Sequence, residues 1–189
     1  MTLPQSVKPM NNKIMRLLIC VCVTASACAT VNVKDSSSLS SKRSEAFLFA
    51  AITTDIPNLT INIYQRNRNA ANDFFSSASA VIKLRSGHNL IMIKLPAGYY
   101  TFKYVYPEDA VGFFELSDII FRLEENVINY IGNLNIYKTT AYEIGYGFSD
   151  AYVADYMFLE TVYPCLTKAY PVRKKNAETG NLFAVKRIF

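Results

Sequence analysis

From Glu45 to Tyr137 apolar residues recur at every second position in short runs separated by turn residues, and only a pleated strand places alternate residues on one face. Ala46 to Ile52 is apolar throughout, the pattern of a central strand covered on both faces. Leu59, Ile61 and Ile63 alternate with Thr60, Asn62 and Tyr64 after a turn at Pro57. Ala80, Ile82 and Leu84 alternate with Val81, Lys83 and Arg85, and Ser86-Gly87-His88-Asn89 then turns into Leu90 to Leu95, which predicts a hairpin. Pro96-Ala97-Gly98 breaks the run before Tyr99 to Tyr106, and Ile119 to Leu123 forms another strand. After the polar turn Glu124-Glu125-Asn126, Val127 to Tyr137 puts Ile128, Tyr130, Leu134 and Ile136 on one face and Asn129, Asn133 and Asn135 on the other. Gly132 falls on the apolar face, where a bulge or a neighbour's large side chain can use the space.

Composition agrees, because the 13 Tyr and 12 Phe are flat side chains suited to a half-buried pleated surface. The expected class is mainly β, an antiparallel β-sandwich with one C-terminal helix. That helix is predicted over Asp150 to Tyr163, capped by Ser149 and stopped by Pro164, with Tyr152, Tyr156, Leu159 and Tyr163 as the stripe that covers a sheet. Leu182 to Ile188 reads as a last strand or an ordered tail.

The amino terminus has a different character. Lys13 and Arg16 precede an apolar run, Leu17 to Val23, that ends in the small residues Thr24 to Ala27, the three-part layout of an export signal. The run is about half the ~20 residues that span a bilayer. Residues 1–27 therefore read as a signal peptide, 28–44 as a flexible Ser-rich tether, with an extra edge strand through Val31 and Val33 as the minor alternative, and 45–189 as the folded domain. The formal charge of +5 includes Lys8, Lys13 and Arg16 of the signal, leaving +2 for the rest. So weak a field argues against a nucleic-acid partner.

Ala25-Ser26-Ala27-Cys28 resembles the end of a bacterial lipoprotein signal, although such boxes usually carry Leu where Ala25 stands. The resemblance implies acylation of Cys28, and two or more acyl chains hold a protein stably on a membrane. With Ala29 rather than Asp after the cysteine it also implies, in a Gram-negative cell, the outer membrane, with the domain facing the periplasm or the cell surface. The competing reading is an ordinary cleavage after Ala27 that releases a soluble periplasmic or secreted protein. Cys20 and Cys22 leave with the signal, and Cys165, among apolar neighbours, is expected to be a buried inert thiol.

Leu95-Pro96-Ala97-Gly98-Tyr99-Tyr100 and Asn129-Tyr130-Ile131-Gly132-Asn133-Leu134 resemble a family of uncharacterised bacterial lipoproteins built on a transthyretin-like or immunoglobulin-like β-sandwich, in which the first motif closes a hairpin and the second lies in a core strand. That resemblance implies a sandwich and no chemistry.

Catalytic patterns are sparse. His88 is the sole histidine, and no nucleophile elbow, metal-spaced cluster, cofactor motif or phosphate loop is present. Asp109, Glu115 and Asp118 are close enough in sequence to be weighed as paired acids for glycoside hydrolysis, and read better as solvated loop charges. Arg66-Asn67-Arg68-Asn69 and Arg173-Lys174-Lys175 read as solvated surface, with anionic lipid or glycan as the alternative. The candidate ligand platform is Tyr100, Phe102, Tyr104 and Tyr106, an all-aromatic row on one strand that serves either as core or as a binding surface. The expectation is a non-enzymatic lipoprotein whose sandwich binds another envelope protein or helps build an envelope assembly, without metal or cofactor. The alternative is a carbohydrate-binding or glycan-hydrolase domain.

Overall fold

The computed structural model describes residues 33–34, 36–40, 43–66, 78–108, 112–116, 119–140, 143–175, 178–179 and 185–188. Twelve strands and two helices lie within them: β1 Glu45–Thr54, β2 Leu59–Arg66, β3 Ala80–Leu84, β4 Gly87–Pro96, β5 Gly98–Pro107, β6 Phe113–Glu115, β7 Ile119–Leu123, β8 Ile128–Thr140, β9 Glu143–Ser149, α1 Tyr152–Val162, α2 Pro164–Ala169, β10 Val172–Lys174, β11 Glu178–Thr179 and β12 Val185–Ile188. The protein is mainly β, with two packed sheets, as the alternation predicts.

Sheet A runs β4-β1-β8-β9-β12, with β10 beside the start of β8. Sheet B is built on β5, which pairs with β2 along one edge and with β7 and β6 along the other. β3 extends the sheet from β2 and β11 from β7. β12 joins the two sheets, its first half pairing with β9 and its second with β6. Most pairings are antiparallel, but β1 and β10 each run parallel to β8. A parallel pair needs a long crossover, and the crossover from β1 to β8 passes through β2, β3, β5, β6 and β7 of sheet B as well as β4 of sheet A.

Two expected connections differ. β3 pairs with β2 and β4 with β1, so Ser86-Gly87-His88-Asn89 carries the chain from sheet B to sheet A instead of closing a hairpin. Asn89, fully buried, fastens this corner: its amide oxygen accepts from Arg85 N–H, and its nitrogen donates to the carbonyls of Arg85, Gly87 and Ile52. Pro96-Ala97-Gly98 likewise returns the chain from sheet A to sheet B. Turn chemistry fixes where a chain bends, while strand pairing is settled by distant partners.

The main core lies between the sheets, where Leu48, Ile52, Ile93, Leu134 and Ile136 of sheet A meet Ile61, Ile82, Tyr100, Phe102 and Phe121 of sheet B. Sheet A is covered on its other face by the helices. Phe47, Phe49, Met92, Ile128 and Tyr130 pack there under Leu159, Tyr163 and Leu166. β1 is thus apolar on both faces because both are buried. The first helix starts later than expected. Ser149 stays in β9, and the Asp150 carboxylate accepts the Tyr152 N–H at 3.2 Å. Pro164 ends α1 but opens α2, since its fixed φ and missing N–H suit a first helical position.

The stretch expected to be a flexible tether is partly docked. Val33 N–H donates to the Met92 carbonyl at 2.9 Å on the edge of sheet A, and Leu39 N–H donates to the Tyr170 hydroxyl at 2.9 Å. Both side chains pack on the helix-covered core, Val33 at the sheet edge that the alternative reading gave it and Leu39 in a burial that the Ser-rich composition around it conceals.

Two bulges set the direction of side chains. In β8, Tyr130 faces Phe49 of β1 while Asn133 faces Ala51, so one extra residue is inserted beside Gly132, which has φ +104°. The Phe148 ring lies over the space that Gly132 leaves, 3.4 Å from where a β-carbon would sit. Both sequence expectations for this glycine hold. The bulge also divides the expected face: Ile128 and Tyr130 point to the helices, and Leu134 and Ile136 point into the sandwich.

A candidate aromatic binding face on sheet B

The second bulge decides the candidate site. Along β5, Phe102 pairs with Ile63 of β2 and Tyr104 pairs with Asn62, leaving Lys103 as the extra residue. A one-residue insertion in a period-two strand sends everything beyond it to the opposite face. Tyr100 and Phe102 are fully buried in the core, whereas Tyr104 and Tyr106 are half-buried on the outer face of sheet B. Val105 takes the inward position instead. The row of four aromatics read from the sequence is therefore two pairs, one structural and one available to a ligand.

Two aromatic residues absent from that row complete the outward patch. Tyr64, at an outward position of β2, meets Tyr104 edge-on with ring centres 5.6 Å apart. Phe113 of β6 lies 4.8 Å from Tyr104 and 5.7 Å from Tyr106. Such edge-on and tilted contacts are favoured by ring quadrupoles. The Lys103 ammonium sits 5.6 Å from the centre of the Tyr64 ring and 5.3 Å from that of Tyr104, an attraction that holds the bulge side chain flat among the rings. Lys103 is itself buried. The signals for Tyr64 and Phe113 in the sequence are the outward phase of β2 and the aromatic pair following Gly112.

The Tyr104 and Tyr106 phenols are kept neutral. Burial, the Glu115 carboxylate and Tyr64 push the Tyr104 hydroxyl up, and burial, Tyr64 and Tyr104 do the same for Tyr106. They are hydrogen-bond donors throughout the neutral range. Beside Tyr106 a cleft of about 450 Å³ opens, lined by polar residues that include Asn58, Thr60, Lys83, Arg85 and Glu108.

The other candidates are placed as follows. Cys28, Asp109, Asp118 and residues 67–69 of the basic loop lie outside the described residues. Glu115 stands opposite Tyr104 at the rim of the patch. His88 is exposed, its Nδ1 3.0 Å from the Thr53 hydroxyl. Cys165 is exposed on α2, contrary to expectation, because the short helix turns Leu166 inward in its place. The basic run is engaged in ion pairs: Arg173 and Lys175 bind Glu124, and Lys174 binds Asp150. Glu124 and Glu125 line a second cleft of about 520 Å³. Hydrogen bonds from Lys175 and Arg173 hold the Glu124 carboxyl below its usual range, the opposite of what a general acid requires. Among the described residues no group of three or more His, Cys, Asp or Glu side chains could hold a metal ion, and no helix is long and apolar enough to cross a membrane.

Comparison with protein-family models, curated proteins and solved structures finds no match.

Proposed function

We propose that this chain is a bacterial lipoprotein, anchored through Cys28 at the outer membrane, whose sandwich is a non-enzymatic module that holds a partner protein of the envelope on the outer face of sheet B. The observation that carries the reading is the bulge at Lys103, which turns Tyr104 and Tyr106 out of the core and sets them against Tyr64 and Phe113. Four aromatic side chains gathered on an outer face, braced by a cation, form the rigid type of patch on which interface energy concentrates.

The test is chemical crosslinking in cells followed by copurification, comparing the native protein with the Tyr104→Ala and Tyr106→Ala variants. A defined partner captured by the native chain should weaken by about tenfold or more with either variant, while thermal stability changes little because both rings are half-exposed. Equal capture by all three would remove the patch from the interface.

The polar cleft beside Tyr106 favours a second reading, in which the ligand is an envelope glycan stacked on the rings and bonded through Lys83, Arg85 and Asn58. Retention on peptidoglycan or polysaccharide, lost in Tyr106→Ala, would select it over a protein partner.

A further inference from the structure

The outer face of α1 carries too little charge for a helix turned toward water. Asp155 and Leu159 face the core. The opposite side presents Val153 at 72% exposure and Met157 at 64%, with exposed Ala154 and Thr161 beside them and Glu160 at the flank. A helix that is apolar on both sides is ordinarily covered on both. Exposed apolar side chains that adjoin one another form a patch, and contiguous apolar patches mark contact surfaces.

The path of the chain from its anchor indicates what covers that side. Val33 is fixed to the edge of β4 and packs on the core that lies beneath the helices. Only five peptide links separate Val33 from Cys28, and fully extended they reach about 17 Å. A helix is ~10 Å across. Acyl chains on Cys28 therefore hold Val33, at the edge of the helix-covered core, within about 17 Å of the bilayer surface, less than two helix diameters, and leave no long free tether.

We infer that α1 rests on the membrane, with Val153 and Met157 inserted at the boundary between head groups and acyl chains. The inference depends on acylation of Cys28. Tyr156, half-buried on the same helix, is of the residue type that settles at this boundary. The aromatic face of sheet B, two layers away, is then directed off the membrane toward a partner.

The experiment uses full-length precursor processed in cells, carrying Cys165→Ser and a single reporter thiol at Met157→Cys or, as the control on the outer face of sheet B, at Val81→Cys. Once acylated, Cys28 is a thioether, so only the reporter takes an environment-sensitive fluorophore. The purified protein is weighed intact and placed in vesicles of phosphatidylethanolamine and phosphatidylglycerol containing a lipid with a nitroxide high on its acyl chain. Acylated protein should show quenching at position 157 at least about twofold stronger than at position 81, and adding Val153→Asp should remove the difference while the protein stays on the vesicles. Acylated protein with equal quenching at both positions, or a difference that survives Val153→Asp, overturns the membrane contact and leaves the anchor intact. A mature mass without acyl chains overturns the anchor, and the contact with it.

Discussion

Tyr130→Phe removes one oxygen atom and should loosen α1 from the sheet. The Tyr130 hydroxyl donates to Asp155 Oδ2 at 2.6 Å, and the two residues are 1% and 4% exposed. The phenylalanine ring keeps the contacts with Phe49 and Tyr152, so the loss is confined to the hydrogen bond and the carboxylate it leaves behind. A hydrogen bond to a charged group contributes about 1.5–3 kcal/mol. An orphaned buried charge costs more, but Asp155 lies in the first turn of α1, where the helix dipole and a small outward shift relieve part of it. We expect a loss of about 2–3 kcal/mol, read as a fall of roughly 1 M in the urea midpoint. Tyr130→Phe combined with Asp155→Leu should recover part of that loss, because an apolar pair leaves nothing unsatisfied. A change below about 0.5 kcal/mol for Tyr130→Phe, or additive behaviour across the cycle, would refute the buried clamp. The pH dependence has a definite sign. Burial and the neighbouring Asp155 push the Tyr130 phenol up, so its stabilisation is complete below the unfolded value near ~10 and is lost as pH rises above it.

Asn129 is fully buried, accepts the Glu124 N–H and donates to the carbonyls of Glu124, Phe47 and Val127; Asn129→Ala should cost about 2–4 kcal/mol in urea unfolding, mostly from the orphaned N–H and carbonyls. Gly132→Ala should cost about 1–3 kcal/mol, since it forces a side chain into φ +104° beside the Phe148 ring. Burial pushes the Tyr100 phenol up to about 12, so the native protein should lose stability between pH ~10 and 12, and Tyr100→Phe should lose less over that window. A pH profile of the same slope in both proteins would count against that burial.

Much of the candidate site was visible as residue types and little of it as geometry. Tyr104 and Tyr106 stood out, but they shared a period-two row with Tyr100 and Phe102, and no alternation separates the two pairs. The clue was Lys103, a charge in the middle of an aromatic strand with Val105 two places beyond it. A cation at that point is accommodated by a bulge, and the bulge moves every side chain beyond it to the opposite face. Gly132 carried a clearer sign of the same event, because a residue without a side chain on a core face needs a reason to be there. Val33 was legible only as the minor edge-strand alternative, and Leu39 was hidden altogether, because an apolar residue in a Ser-rich stretch buries itself only when a neighbouring surface happens to be present.

What the sequence by itself determined is local. The period of the apolar pattern dictated strands, proline and glycine dictated where they end, and the double-sided apolar run at Ala46 to Ile52 dictated a strand covered on both faces. The tertiary structure decided whatever depends on partners distant in the chain. It sent β3 and β4 to different sheets, paired β1 parallel to β8, and placed bulges where facing strands differ in length by one residue. Those bulges chose which aromatics became core and which became surface. The physical reason is that alternation fixes the relation between neighbouring side chains but not the register between strands, and a shift of one residue costs the backbone little while it reverses every side chain that follows.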